Sequence, residues 1–252
     1  MSQAASHAES SAASHDESHA GGHDEHHGPP WLAHHFDTPA QQFDAAKLGM
    51  WAFLAQELLF FSGVFVAYGI FRSWYPEAFS TASHQLDRVM GAANTIVLLF
   101  SSWTAAMAVR SSQLGKKQQT TTLLLITIAC AFIFLIVKYF EYQHKFHAGL
   151  LPGKYFGHPV DGGLFGAIPA GHGHTPHLAP KAHIFFSLYF VMTGIHALHV
   201  IVGIGVLFWI VKRNASGEFS KEFFTPVDLV ALYWHLVDLI WIYLFPLLYL
   251  ID

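Results

Sequence analysis

Several ionisable side chains lie inside long apolar stretches of this 252-residue chain, and these residues could carry chemistry. Glu57 lies near the middle of the first stretch, where a carboxylate is costly unless it is paired or neutralised. One interpretation is an acid that handles protons or contacts lipid. The other is a neutral carboxylic acid that is hydrogen-bonded between helices, and the residues alone leave both open.

Two pairs of polar residues share a helix face. His196 and His199 lie three residues apart, and so do His235 and Asp238. Three histidines and a carboxylate that converge inside a bundle could bind a metal ion. The apolar stretches contain no Glu-x-x-His pair and no second acid to complete a dimetal site. Because histidines at helix contacts usually hydrogen-bond across the interface, we predict no metal site here.

Glu141 follows the third apolar stretch, and Lys138 precedes it by three residues on the same helix face. This spacing predicts a salt bridge at the membrane interface.

Small residues at four-residue spacing indicate where helices pack closely. Gly63 and Ala67 form such a pair in the first stretch, and Gly91 and Thr95 form another in the second, beside Asn94. In membranes this pattern allows a neighbouring helix to approach.

The elements that must position these residues follow from composition and length. The chain is 53% hydrophobic and 12% charged, about half of the roughly 25% charged residues of soluble domains. Because a bilayer core about 30 Å thick needs about 20 apolar residues in a helix, five runs qualify as membrane spans. They are 48–71, 89–109, 120–140, 184–211 and 227–251. The runs are too long for strands and do not alternate, so we predict an all-α, polytopic bundle of five transmembrane helices.

Charge and cysteine content exclude several other classes. The formal net charge of −4 gives no basic footprint for nucleic acid. Cys130 is the single cysteine, which excludes an intrachain disulfide framework and any Cys-based metal cluster.

Two segments outside the spans are rich in histidine. Residues 1–46 form a His-rich segment whose first part is predicted to be a disordered leader, ahead of a membrane domain at 47–252. The leader could bind metal or collect protons, or it could be a plain polar tract. A long loop at 144–183, rich in Gly, Pro and His, is predicted on the outer side. Lys and Arg are more numerous on the side of the membrane that holds the N-terminus than on the opposite side. This bias favours a cytoplasmic N-terminus and a periplasmic C-terminus.

Five sequence blocks, in order along the chain, resemble subunit III of haem-copper terminal oxidases. They are Gln56-Glu57-Leu58-Leu59-Phe60-Phe61-Ser62-Gly63, Asn94-Thr95-Ile96-Val97-Leu98-Leu99, Phe140-Glu141-Tyr142, Thr193-Gly194-Ile195-His196-Ala197-Leu198-His199 and Tyr233-Trp234-His235-Leu236-Val237-Asp238. The resemblance covers almost all of the chain outside the leader.

The resemblance implies an all-helical membrane subunit that packs against catalytic subunit I and holds no redox centre. Larger family members have seven helices, the first two splayed around a lipid-filled cleft. This chain has five, as in five-helix bacterial forms, so that cleft does not carry over whole. Haems and copper would belong to partner subunits. Subunit II, subunit IV and phospholipids would be further partners.

The resemblance also gives the polar residues roles. Glu57 matches the family's intramembrane glutamate, which faces subunit I and lipid. Six other residues fall on positions that hold the bundle together or contact lipid: Asn94, Glu141, His196, His199, His235 and Asp238. The family is associated with proton uptake and with protection of the catalytic site during turnover.

The residues agree with an accessory role. A catalytic subunit needs six histidine ligands, and a binuclear copper domain needs two cysteines, and the spans hold neither set. We therefore predict an accessory subunit of a respiratory oxidase in a bacterial inner membrane, with no catalytic or cofactor-binding residue. The alternatives are a quinol oxidase subunit III, the related accessory subunit of a nitric oxide reductase and, more remotely, a metal or proton transporter.

Overall fold

A computed structural model describes residues 29–151, 156, 160–161, 168–169 and 179–251. Six α-helices account for most of these residues. They are α1 Pro39–Trp74, α2 Pro76–Ser83, α3 Arg88–Gln113, α4 Lys117–His147, α5 Ala182–Ala215 and α6 Thr225–Tyr249. Between α4 and α5, β1 (Val160–Asp161) pairs antiparallel with β2 (Ile168–Pro169).

Local sequence signals explain several helix ends. Thr38 caps α1 by accepting a hydrogen bond from the Gln41 backbone N–H, and Pro39 occupies the first turn. Asp87 caps α3 by accepting from the backbone N–H groups of Val89 and Met90. These caps satisfy N–H groups that have no partner within the helix.

Helices α3 to α6 form a four-helix bundle. α3 packs against α4 and α6, and α5 packs against the same two helices, so α3 and α5 lie across the bundle from each other. α1 lies outside this bundle, against α5 and α6. The largest buried side chains of the core include Trp234, Trp241, Tyr189 and Phe134.

Only a narrow seam of α1 is buried. The seam consists of Leu54, Phe61 and Tyr68, which follow one another at seven-residue intervals. The Tyr68 hydroxyl donates a hydrogen bond to the carbonyl of Leu247 and so ties α1 to α6. The other faces of α1 expose large apolar side chains, including Leu59 and Val66. These faces are suited to lipid or to a partner protein.

Close approach between helices occurs at two glycines. A Cβ on Gly91 of α3 would lie 2.8 Å from the Phe245 ring of α6, and a Cβ on Gly203 of α5 would lie 2.7 Å from the Trp234 ring. Each glycine therefore leaves space for an aromatic ring of α6. Gly63, in contrast, is exposed and has no atom within 4 Å of such a Cβ. The close approach expected at Gly63 and Ala67 therefore stays a prediction about a neighbour outside this chain.

The structure confirms the predicted fold class. Five of the described helices are long and apolar enough to cross a membrane, namely all except α2. Helices α1, α3, α4 and α5 extend beyond both ends of their predicted apolar runs, because polar residues continue each helix. In contrast, α6 begins two residues before its predicted run of 227–251 begins and ends two residues before that run ends. The short helix α2, which begins at Pro76, was not predicted. The leader lies outside the described residues up to position 28, and most of the 144–183 loop beyond α4 does as well.

The packing at Gly203 predicts that a methyl group added there destabilises the fold, whereas one added at Gly205 does not. Gly203→Ala should lower the free energy of unfolding by about 1–3 kcal/mol, because the new Cβ overlaps the Trp234 ring. Gly205→Ala is the matched control, since Gly205 lies on the same helix with no atom within 4 Å of its Cβ position. Because alanine has a better helix propensity than glycine, Gly205→Ala should leave the free energy of unfolding unchanged or raise it. Thermal unfolding in nanodiscs measures both, and equal losses in the two variants would contradict the packing described.

Candidate functional site

Glu57 and His199 form a polar contact between α1 and α5. Glu57 Oε2 lies 3.0 Å from His199 Nε2, and the side chains are only 14% and 18% exposed. The rings of Phe60 and Phe61 flank the imidazole, with the Phe61 centroid at 5.1 Å. The pair therefore lies in an apolar setting near the middle of α1, at the edge of the bundle.

The hydrogen bonds of His199 restrict where protons can lie. His199 Nδ1 is 2.8 Å from the carbonyl oxygen of Ile195, which can only accept a hydrogen bond, so Nδ1 carries a proton. Nε2 then carries a second proton only if the imidazole is cationic. The contact to Glu57 needs one proton, held by either the carboxyl group or Nε2. The arrangement can therefore hold a single proton in two forms, as histidine does in proton relays.

Lys138 and Glu141 form the most deeply buried ion pair of the described residues. Lys138 Nζ donates to Glu141 Oε2 at 2.9 Å, and the residues are only 4% and 3% exposed. Lys138 also contacts the Tyr249 and Tyr189 hydroxyls, at 2.8 and 3.3 Å. Both hydroxyls donate to Glu141 Oε1, at 2.6 and 2.9 Å. We call these four side chains the lysine–glutamate network, and it joins α4, α5 and α6.

Aromatic rings complete the surroundings of the ammonium group. Lys138 Nζ lies 4.9 Å from the Trp241 ring centroid and 5.2 Å from that of Tyr189. A cation over an aromatic face is stabilised by the ring quadrupole, and more strongly when it is desolvated. The predicted salt bridge is thus present, and its side chains are buried inside the bundle.

A second polar set joins α3 to α6. Ser101 donates to Asp238 Oδ2 at 3.4 Å and accepts from the indole N–H of Trp234 at 3.0 Å. One residue further on, Ser102 lies 2.6 Å from His235 Nδ1. These contacts place His235 and Asp238 against α3, where each has a serine partner.

Asn94 and His196 lie deep in the bundle. His196 is fully buried on α5, with its ring against Phe134 and Trp241. Asn94 is 1% exposed on α3. The next residue, Thr95, accepts a hydrogen bond from the Trp241 indole N–H at 3.0 Å.

The predicted site residues therefore divide into separate groups. Glu57 meets His199, His235 and Asp238 meet serines, and Glu141 meets Lys138. No group of three or more His, Cys, Asp or Glu that could hold a metal ion occurs within the described ranges. Sequence reasoning missed Tyr189 and Tyr249 as partners of the ion pair. Their signal was a tyrosine within an otherwise apolar span, where a hydroxyl needs a partner.

Comparisons with known proteins point to one family. The family model described as cytochrome c oxidase subunit III matches residues 177–252. A cytochrome c oxidase subunit 3 of Synechocystis is 29% identical, over 82% of this chain and 76% of that protein. A probable quinol oxidase subunit 3 of Staphylococcus saprophyticus is 24% identical, over 87% of this chain and 96% of that protein.

A fused relative adds a different kind of information. The haem-copper oxidase subunit I+III of Aeropyrum pernix is 29% identical over 82% of this chain. The chain spans 23% of that longer protein.

Proposed function

We propose that this chain, which belongs to the cytochrome c oxidase subunit III family, acts as the accessory membrane subunit III of an aerobic respiratory haem-copper oxidase. The observation that carries the proposal is the match of one family's sequences along most of the chain, on a bundle with five helices able to cross a membrane. The oxidase complex reduces oxygen to water, and this chain supports that reaction without performing it.

The redox centres are assigned to partner subunits. The spans hold too few histidines and cysteines for haem and copper ligation, and no group of three or more His, Cys, Asp or Glu in the described part could hold a metal ion. Haems and copper in other subunits would therefore carry the electrons. The buried polar side chains of this chain can join helices through hydrogen bonds, and they can hold a proton at a fixed place.

Subunit I is the first partner that we propose. The Aeropyrum relative is named as subunit I+III, so the two subunits occur in one chain there, which supports subunit I as a partner. The exposed apolar faces of α1 offer surface for such a partner and for phospholipid. Subunit II and possible subunit IV complete the proposed complex.

The proposed location is a bacterial inner membrane. The Lys and Arg distribution supports a cytoplasmic N-terminus and a periplasmic C-terminus. In this orientation, the lysine–glutamate network lies toward the periplasmic end of α4.

A quinol oxidase is the second candidate complex. The Staphylococcus relative is named as a probable quinol oxidase subunit 3, and it is covered almost completely by this chain. The electron donor reacts with other subunits, so this chain would have the same role in a cytochrome c oxidase and in a quinol oxidase.

Glu57 and His199 support a role in proton uptake. The pair can hold one proton in either of two forms, and it lies between α5 and α1, the least buried of the five long helices. A carboxyl–imidazole pair at the edge of the bundle could deliver protons toward a neighbouring pathway entrance. This is the proposed way in which the chain supports oxygen reduction.

Purification through a tag on this chain tests the accessory-subunit proposal. In a gentle detergent the chain should elute with a haem protein, and a reduced-minus-oxidised optical spectrum should show haem bands. Mass spectrometry should identify a large, histidine-rich catalytic subunit in the same fractions. Assays with reduced cytochrome c and with quinol would then separate the two candidate complexes.

A colourless chain that elutes alone, in nanodiscs as well as in detergent, would contradict that proposal. The same tag on an unrelated membrane protein of the same cells controls for haem proteins that elute nonspecifically.

Glu57→Gln tests the proton-uptake role in the purified complex. The amide can still hydrogen-bond to His199, so haem should still co-elute, but it cannot exchange a proton. We expect proton uptake during turnover to fall several-fold, and Glu57→Asp to restore part of it. Glu77→Gln, at an exposed position of α2, controls for the loss of one carboxylate. Wild-type proton uptake in Glu57→Gln would remove this role and leave the pair as a helix contact only.

A further inference from the structure

From the α3–α6 bundle we infer that ordered water molecules lie in its interior, hydrogen-bonded to His196 and Asn94. Both side chains are fully or almost fully buried, with exposures of 0% and 1%. Neither nitrogen of His196 and neither polar atom of the Asn94 amide has a hydrogen-bond partner among the described residues. This inference concerns the interior of the chain and does not depend on its proposed function.

The two residues lie at one level of the bundle. The His196 ring centroid is 5.4 Å from that of Trp241 on α6. The indole N–H of Trp241 reaches Thr95, the residue after Asn94. The edge of Phe134 on α4 packs against both His196 and Trp241, with centroids at 5.5 and 4.8 Å. All four helices therefore contribute a side chain to this level.

Energetics require partners for these atoms. A buried polar group without a hydrogen bond destabilises the folded chain, and bulk water cannot reach it inside a membrane bundle. A neutral imidazole has one donor and one acceptor, and an amide has two donors and one acceptor oxygen. Water supplies both kinds of partner, and buried waters in proteins typically serve groups of this kind.

The polar atoms of the neighbouring lysine–glutamate network differ from those of His196 and Asn94 in having hydrogen-bond partners. There the polar atoms of Glu141 and the hydroxyls of Tyr189 and Tyr249 all have protein partners. His196, two turns from Tyr189 on α5, and Asn94 on α3 are equally buried and have none. No group of three or more His, Cys, Asp or Glu that could hold a metal ion occurs in the described part of the chain. Water supplies both the donors and the acceptors that the imidazole and the amide need.

Hydroxyl-radical footprinting by X-ray radiolysis tests the inference on the full-length chain in nanodiscs. Radiolysis of a held water releases a radical beside the side chains that it touches. Phe134, which packs on His196, should be oxidised several-fold faster than Phe185. Both are phenylalanines with 0% exposure, and Phe185 packs among other phenylalanines. Phe185 also lies close to the start of α5, so radicals from bulk water would favour it instead.

Two variants test hydration at His196 and at Asn94 separately. His196→Phe should reduce the oxidation of Phe134 to the level of Phe185. Asn94→Leu should leave Phe134 oxidised as in the wild-type chain and should reduce the oxidation of Trp241 only in part, since Trp241 also packs on His196. The exposed Trp51 should be oxidised equally in all three proteins and so controls for radical dose.

Oxidation of Phe134 no faster than that of Phe185 in the wild-type chain would overturn hydration at His196, and this comparison needs no variant to fold. Unchanged oxidation of Trp241 in a folded Asn94→Leu variant would overturn hydration at Asn94.

Discussion

A buried ion pair inside a membrane bundle is stable only when every polar atom around it is satisfied, and Lys138 and Glu141 meet that condition. Desolvation of two charges is repaid only by good geometry and further hydrogen bonds. Here the tyrosines supply those bonds from α5 and α6, while both charges come from α4. Because one closed network needs three helices in register, it fixes their relative rotation and depth. Packing of apolar side chains in lipid would not do so alone, since lipid is as apolar as the side chains.

The rest of the molecule follows from that register. With α5 and α6 fixed, Trp234 fits against Gly203, and Ser101 and Ser102 on α3 meet Asp238 and His235. α1 then needs only a narrow seam to join α5 and α6, and one face of α5 presents His199 to it. The Glu57–His199 pair thus lies where the bundle meets α1, the least buried of its five long helices, as the proposed proton exchange with a partner subunit would need.

The sequence predicted the fold class well because length and apolarity alone determine which segments can cross a bilayer. It also predicted the salt bridge between Lys138 and Glu141, since both residues lie on one helix and their three-residue spacing can be read from the sequence. It could not predict the pairing of Glu57 with His199, because that contact joins α1 to α5 and depends on how the helices rotate. The same holds for Tyr189 and Tyr249, whose role requires three helices to be in place. The small helix α2 was missed because eight residues carry too weak a periodic signal.

A double-mutant cycle on the ion pair tests the central claim that the lysine–glutamate network fixes the bundle. The free energy of unfolding in nanodiscs should fall by about 3–5 kcal/mol in Lys138→Met and in Glu141→Gln, since each leaves buried groups unpaired. The double variant should lose clearly less than the sum, with a coupling energy of about 1–3 kcal/mol. The exposed pair Arg213–Glu218 is the control, where Arg213→Met and Glu218→Gln should couple by about 0.2–1 kcal/mol. Additive losses at Lys138 and Glu141, or coupling no larger than in the control pair, would contradict this account.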